Sequence, residues 1–121
     1  MSFQKLLAFQ KSFVLAMSIF ELSKSFPKEE KYSLTDQIRR FSRSVSANIS
    51  EAYRKRLYPK HFISKLSDAD AENSETQTWL LFALECSYMD QKNFDVLSSE
   101  NSDVGRLINY MINNPEKFGS K

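Results

Sequence analysis

The sequence predicts an all-α fold, an antiparallel up-and-down four-helix bundle, and three observations predict it. Apolar residues recur at spacings of three and four along four separate segments, as on helices that turn one face inward. Only 2 Gly and 3 Pro occur in 121 residues, too few for an all-β chain that turns roughly every 8–12 residues. Short connectors separate the segments, and short connectors force neighbouring helices antiparallel. The length suits one compact domain, residues 1–121. A composition of 41% hydrophobic and 26% charged residues is that of a folded chain, not a disordered one.

The first segment covers residues 3–25, with Leu6, Phe9, Phe13, Met17 and Phe20 as its stripe. Phe26-Pro27 ends it, because proline pushes the residue before it out of helical backbone. Ser33 with Asp36 three residues on resembles a capping box, and the second helix follows over 34–57. Its stripe is Leu34, Ile38, Phe41, Val45, Ile49 and Ala52. Pro59 suits the first turn of a third helix, 59–86, whose inward positions are Phe62, Leu66, Ala69, Asn73, Thr76, Leu80 and Ala83. Ser87-Tyr88 breaks that helix. Asp90 caps a fourth, 91–113, with Met89 and Phe94 placed as a hydrophobic staple across the cap. Phe94, Leu97, Asn101, Val104, Ile108 and Met111 form its stripe, and Asn113-Asn114-Pro115 stops it. Repeats near 3.5 residues favour crossing angles of about 20°.

The apolar run from Phe13 to Phe20 is far shorter than the ~20 residues of a membrane span. Glu21, Ser23 and Lys24 follow it with no small-x-small cleavage site, so a cytoplasmic protein without membrane contact is expected. One Cys and one His leave no disulfide framework and almost no basis for a zinc site. Cys86, among Ala83, Leu84 and Tyr88, reads as an inert buried thiol in a reducing compartment. His61 has no Ser or acid at triad spacing, and Gly105 and Gly119 make no phosphate loop. Gly105 inside the fourth helix costs about 1 kcal/mol against Ala, which marks a close helix contact. Asn48, Glu51, Glu75 and Thr76, with Asn73, fall on or beside the inward faces of the second and third helices as a structural polar network. A di-metal site there would need Glu-x-x-His on two helices, which one His cannot supply. The expectation is a non-enzymatic protein with no cofactor, no metal and no small-molecule substrate.

Net charge is only +2, but the signs are segregated. Residues 36–65 carry Arg39, Arg40, Arg43, Arg54, Lys55, Arg56, Lys60 and Lys65 against Asp36 and Glu51, whereas in 66–104 Lys92 is the one cation among the acids. Three readings follow. The faces are solvated, with exposed pairs worth under about 1 kcal/mol each. One subunit's basic side meets the acidic side of the next, head to tail. Or Arg39, Arg43, Arg54, Lys55, Arg56 and Lys60 bind phosphates, with Tyr53, Tyr58 and His61 near enough to stack. The last two are compatible. A solitary bundle would also expose Phe9, Phe13, Trp79 and Phe82 in part, and exposed aromatic patches mark interfaces.

Four strings carry a family resemblance: Phe26-Pro27-Lys28-Glu29-Glu30-Lys31-Tyr32-Ser33-Leu34-Thr35-Asp36-Gln37-Ile38-Arg39-Arg40, Ser44-Val45-Ser46-Ala47-Asn48-Ile49-Ser50-Glu51, Glu75-Thr76-Gln77-Thr78-Trp79-Leu80 and Met111-Ile112-Asn113-Asn114-Pro115. The chain resembles, over about residues 3–118, the bacterial four-helix-bundle family whose founding members are encoded in intervening sequences of 23S ribosomal RNA genes. The resemblance implies an up-and-down bundle assembled as a homopentameric ring, with no settled biochemical activity. The accessory protein of diversity-generating retroelements is similar, a basic pentamer that binds nucleic acid and a reverse transcriptase, which implies RNA or DNA as a partner. The chain departs from the family pattern at Glu51-Ala52 for Glu-Gly, at Phe9 for Trp, and at Ser87-Tyr88 for Gly-Tyr.

Overall fold

A computed structural model describes residues 2–121. Four helices, α1 (Leu7–Ser23), α2 (Leu34–Arg54), α3 (Pro59–Glu85) and α4 (Gln91–Asn113), carry the fold, with 3-10 turns at Phe3–Lys5, Lys28–Glu30 and Pro115–Phe118. No strand occurs among the described residues. α1 packs on α2 and α4, and α3 packs on the same two, which closes a four-helix bundle.

The core is built from the inward stripes of α2, α3 and α4. Ile38, Ile49, Ala52, Phe62, Leu66, Ala69, Leu80, Ala83, Val104 and Ile108 are fully buried. α1 differs from the expectation. Its inward face is Ala8, Ser12, Leu15, Ala16, Ile19 and Ser23, while Phe13 is 52% and Met17 44% exposed. The reason is that α1 is apolar on more than one face, so spacing alone leaves its rotation open. Contact geometry decides instead: Ser12 and Ser46 are buried and share a 2.8 Å hydrogen bond between their hydroxyls, a close α1–α2 approach with no room for a ring facing inward. Phe9 stacks with Phe13 at 5.8 Å on the rim.

Helix bounds and one cap depart from the sequence reading. α1 starts at Leu7 after the 3-10 turn, and α2 stops at Arg54, where the Lys55 amide turns back to the Glu51 and Ala52 carbonyls. The expected Ser33–Asp36 box does not form. Glu30 reaches in from upstream instead: its carboxylate accepts from the Ser33 hydroxyl at 2.6 Å, the Leu34 amide at 3.3 Å and the Tyr88 hydroxyl at 2.8 Å. Asp36 has one methylene fewer than the Glu a box prefers, and Glu30 has the longer reach. That single carboxylate ties the start of α2 to the α3–α4 connector.

α3 closes with a Schellman turn. Ser87 sits in left-handed backbone at φ 62, the Tyr88 amide donates to Ala83 O and the Ser87 amide to Leu84 O, both at 2.9 Å. Tyr88 then packs on Phe26, ring centres 5.6 Å apart. Asp90 caps α4 by accepting the Asn93 amide at 2.7 Å, and both Met89 and Phe94 join the core.

Candidate functional site

The four residues expected to form one polar network are not brought together. Asn48 is half-buried on α2 and its amide donates to the Glu72 carboxylate on α3. Thr76 is buried, but its hydroxyl donates back to the Glu72 carbonyl of its own helix at 2.9 Å. Glu51 is exposed in an ion pair with Lys65 at 2.9 Å, and Glu75 faces solvent. The deeper network lies between α3 and α4. The Asn73 side-chain amide donates to Asn101 O and that of Asn101 to Asn73 O, each at 3.0 Å. Asn101 also reaches Gln77, whose amide donates to Ser98. Gly105 faces this lock, and a Cβ there would lie 3.1 Å from Asn73 Nδ2, the close contact that a mid-helix glycine signals.

The basic residues divide into two clusters, one along α2 and one at the corner after it. Arg39, Arg40 and Arg43 line an open groove with Lys31, Tyr32 and Asp36. The guanidiniums of Arg39 and Arg43 lie over the Phe20 ring of α1 at 4.8 and 5.3 Å, and that of Arg40 over Phe41 at 5.5 Å. Arg39 Nε also donates to Ser23 Oγ at 2.7 Å. The second cluster is the α2–α3 corner, where Arg54, Lys55 and Lys60 are exposed. From Arg39 to Arg54 the helix rises by about 22 Å, so the clusters are separate patches.

Arg56 is braced at that corner. Its guanidinium lies 4.1 Å over Tyr53 and donates to Tyr53 O at 2.8 Å, and its side chain lies against Gly119. Tyr53 is buried beneath it, which removes that ring from the expected stacking set. Tyr58 is exposed and meets His61 edge-on at 6.2 Å. Sequence reasoning passed over Tyr32, which stands in the turn before α2 and is 84% exposed. The signal was its place between Lys31 and the Arg39–Arg40 pair. Cys86 also differs from expectation: α3 ends at Glu85, so the thiol is exposed at the helix end.

Among the described residues the ion pairs are Lys24–Glu21, Lys65–Glu51 and Arg106–Asp103, so Arg39, Arg40, Arg43, Arg54, Lys55 and Lys60 have no carboxylate partner. No group of three His, Cys, Asp or Glu there is placed to hold a metal ion. No helix among the described residues is long and apolar enough to cross a membrane.

A family model described as 23S rRNA-intervening sequence protein matches residues 4–110. The crystal structure of a protein of unknown function from the S23 ribosomal protein family of Bacteroides thetaiotaomicron is similar at a TM-score of 0.80 and 28% identity, covering 88% of this chain and 96% of that one. No curated protein matches the chain.

Proposed function

The chain belongs to the family of 23S rRNA-intervening sequence proteins, and from that premise we propose that it is a non-enzymatic homo-oligomer that binds RNA or DNA through the basic surface of α2 and the corner after it. The observation that carries this reading is that Arg39, Arg40, Arg43, Arg54, Lys55 and Lys60, on α2 and in the corner after it, lack carboxylate partners, although α3 and α4 are rich in acids. Unneutralised arginines and lysines on one side of a small domain create a field that attracts polyanions. The resemblance implies five subunits, and a ring would repeat a modest patch several times over one nucleic acid. On this reading the protein works in the cytoplasm without cofactor, membrane or small-molecule substrate.

The experiment is filter binding across a salt series. Affinity should be weak, largely indifferent to sequence, and linear on a log–log plot against salt. Changing Arg54, Lys55 and Lys60 together to Ala should flatten the slope by roughly 0.7–0.9 per lost contact. Arg56 is left in place because it braces Tyr53. The unpaired acids of α3 and α4 favour one second reading, a structural or protein-binding oligomer whose segregated charges join neighbouring subunits. Under that reading the same triple change dissociates the assembly in light scattering and leaves no binding to lose. Absence of wild-type binding at about 50 mM salt ends the nucleic-acid reading.

A further inference from the structure

We propose that the groove formed by the turn before α2 and the first half of α2 holds a single strand of RNA or DNA, with one base stacked on Tyr32 and the adjoining phosphates on Arg39, Arg40 and Arg43. The inference rests on the nucleic-acid reading above and adds to it a place, a strandedness and a residue that meets a base.

The groove has the charge such a strand needs. Lys31, Arg39, Arg40 and Arg43 line it against Asp36 as its one acid, and its volume is about 530 Å³, within the roughly 300–1,000 Å³ of ordinary ligand clefts. Its cations are also oriented. The guanidiniums of Arg39 and Arg43 lie over Phe20 and that of Arg40 over Phe41, and a guanidinium restrained by a ring in this way loses none of its N–H donors to a carboxylate. Ser23 anchors Arg39 further through Nε, leaving its terminal nitrogens. Arg39 and Arg43 are one turn apart on α2, about 6 Å along the axis, a step that successive phosphates of an extended strand can follow.

Strandedness comes from Tyr32. At 84% it is the most exposed of the large hydrophobic side chains among the described residues, and it lines the same groove as the unpaired arginines. Lys31 Nζ lies over its ring at 5.3 Å, and no aromatic partner stacks on it among the described residues. A duplex hides its base faces and presents only its backbone to such a groove. An exposed ring beside phosphate-binding cations suits unpaired bases, and it tolerates any sequence because every base has a π face.

The test is fluorescence anisotropy of the intact protein with a short labelled oligothymidine and with a duplex of equal length, at about 50 mM salt. The expected result is a preference for the single strand, about tenfold weaker binding of that probe by Tyr32→Ala, and duplex affinity unchanged by the substitution. Tyr32→Phe should retain the stack. Changing Arg40 and Arg43 together to Gln should weaken both probes and flatten the single-strand salt slope by roughly 0.7 per contact. Unaltered single-strand affinity in Tyr32→Ala overturns the proposal. If the strand is released only by changing Arg54, Lys55 and Lys60, the groove is wrong while the broader reading stands. If the wild type binds neither probe, both fall.

Discussion

Asn73 and Asn101 show why a helical stripe identifies a face but not a partner. Both positions are legible as inward-facing, and both are buried. Their reciprocal amide-to-carbonyl pairing depends on the register of α3 against α4, which periodicity within one helix does not contain. Glu75, one residue from Thr76, is turned about 100° around the helix and out to solvent, so adjacency in sequence misled the polar network. Each Asn leaves its side-chain oxygen without a partner, so the lock is held by two donors alone. Asn73→Ala or Asn101→Ala should each cost about 1–3 kcal/mol in urea unfolding. The double variant should cost less than their sum by about 0.5 kcal/mol or more; strict additivity would show that the two amides act separately. Glu30 and Tyr88 supply a pH-dependent counterpart. Hydrogen bonds from Ser33 first and Tyr88 second hold the Glu30 carboxyl below its ordinary 4.5. The Glu30 hydrogen bond pushes the Tyr88 hydroxyl from 10.0 up to about 12. A lowered acid stabilises fully above 4.5 and loses its contribution as pH falls through its folded value, while a raised phenol stabilises fully below 10.0 and loses it toward about 12. The difference in Tm between wild type and Tyr88→Phe should therefore be level between those limits and narrow beyond each. A difference independent of pH would remove the Glu30 link.

At the scale of the helix, α3 and α4 were legible almost to the residue and α1 was not. α3 and α4 each bury one stripe and expose the rest, so spacing and burial agree. α1 carries Leu7, Phe13, Val14 and Met17 on an outer face and Leu15 and Ile19 on the inner, and its large aromatics drew the expected stripe to the wrong side. The small residues Ala8, Ser12 and Ala16 are what its contact with the bundle uses. Helix ends were legible where the signal is one residue, as at Asp90 and Pro59, and missed where the cap comes from outside the local motif, as at Glu30. The Schellman turn adds a prediction. Ser87 at φ 62 occupies backbone that a side chain with Cβ adopts at a cost of about 1–2 kcal/mol. Ser87→Gly should remove that strain and, after the extra freedom glycine brings to the unfolded chain, stabilise the protein by about 0.5–1 kcal/mol. A loss of stability in thermal or urea unfolding would mean that the Ser87 side chain contributes something its conformation hides.

Taken as a whole, the molecule has two surfaces that a solitary 14.1 kDa bundle does not need. One is the outer face of α1, where Leu7, Phe13, Val14 and Met17 are each between 44% and 59% exposed. The other is the pair of unpartnered basic clusters on α2 and the corner beyond it. Contiguous apolar exposure of the first kind marks an interaction surface. Charge exposure of the second kind is tolerable in water and is useful when copies of it act together, since linked sites raise overall affinity without any new contact. Assembly and polyanion binding are therefore coupled predictions. Light scattering at micromolar concentration should give a mass several times 14.1 kDa for the wild type. Changing Phe13 and Met17 together to Lys should release a single chain that keeps its helical circular dichroism, because neither side chain belongs to the buried core. The added lysines raise the net charge, so charge alone would strengthen nucleic-acid binding; loss of avidity should weaken it by about tenfold or more. A released chain that binds as tightly as the wild type would separate the two surfaces functionally. A wild type of monomer mass would leave the apolar face of α1 to some partner other than a second copy.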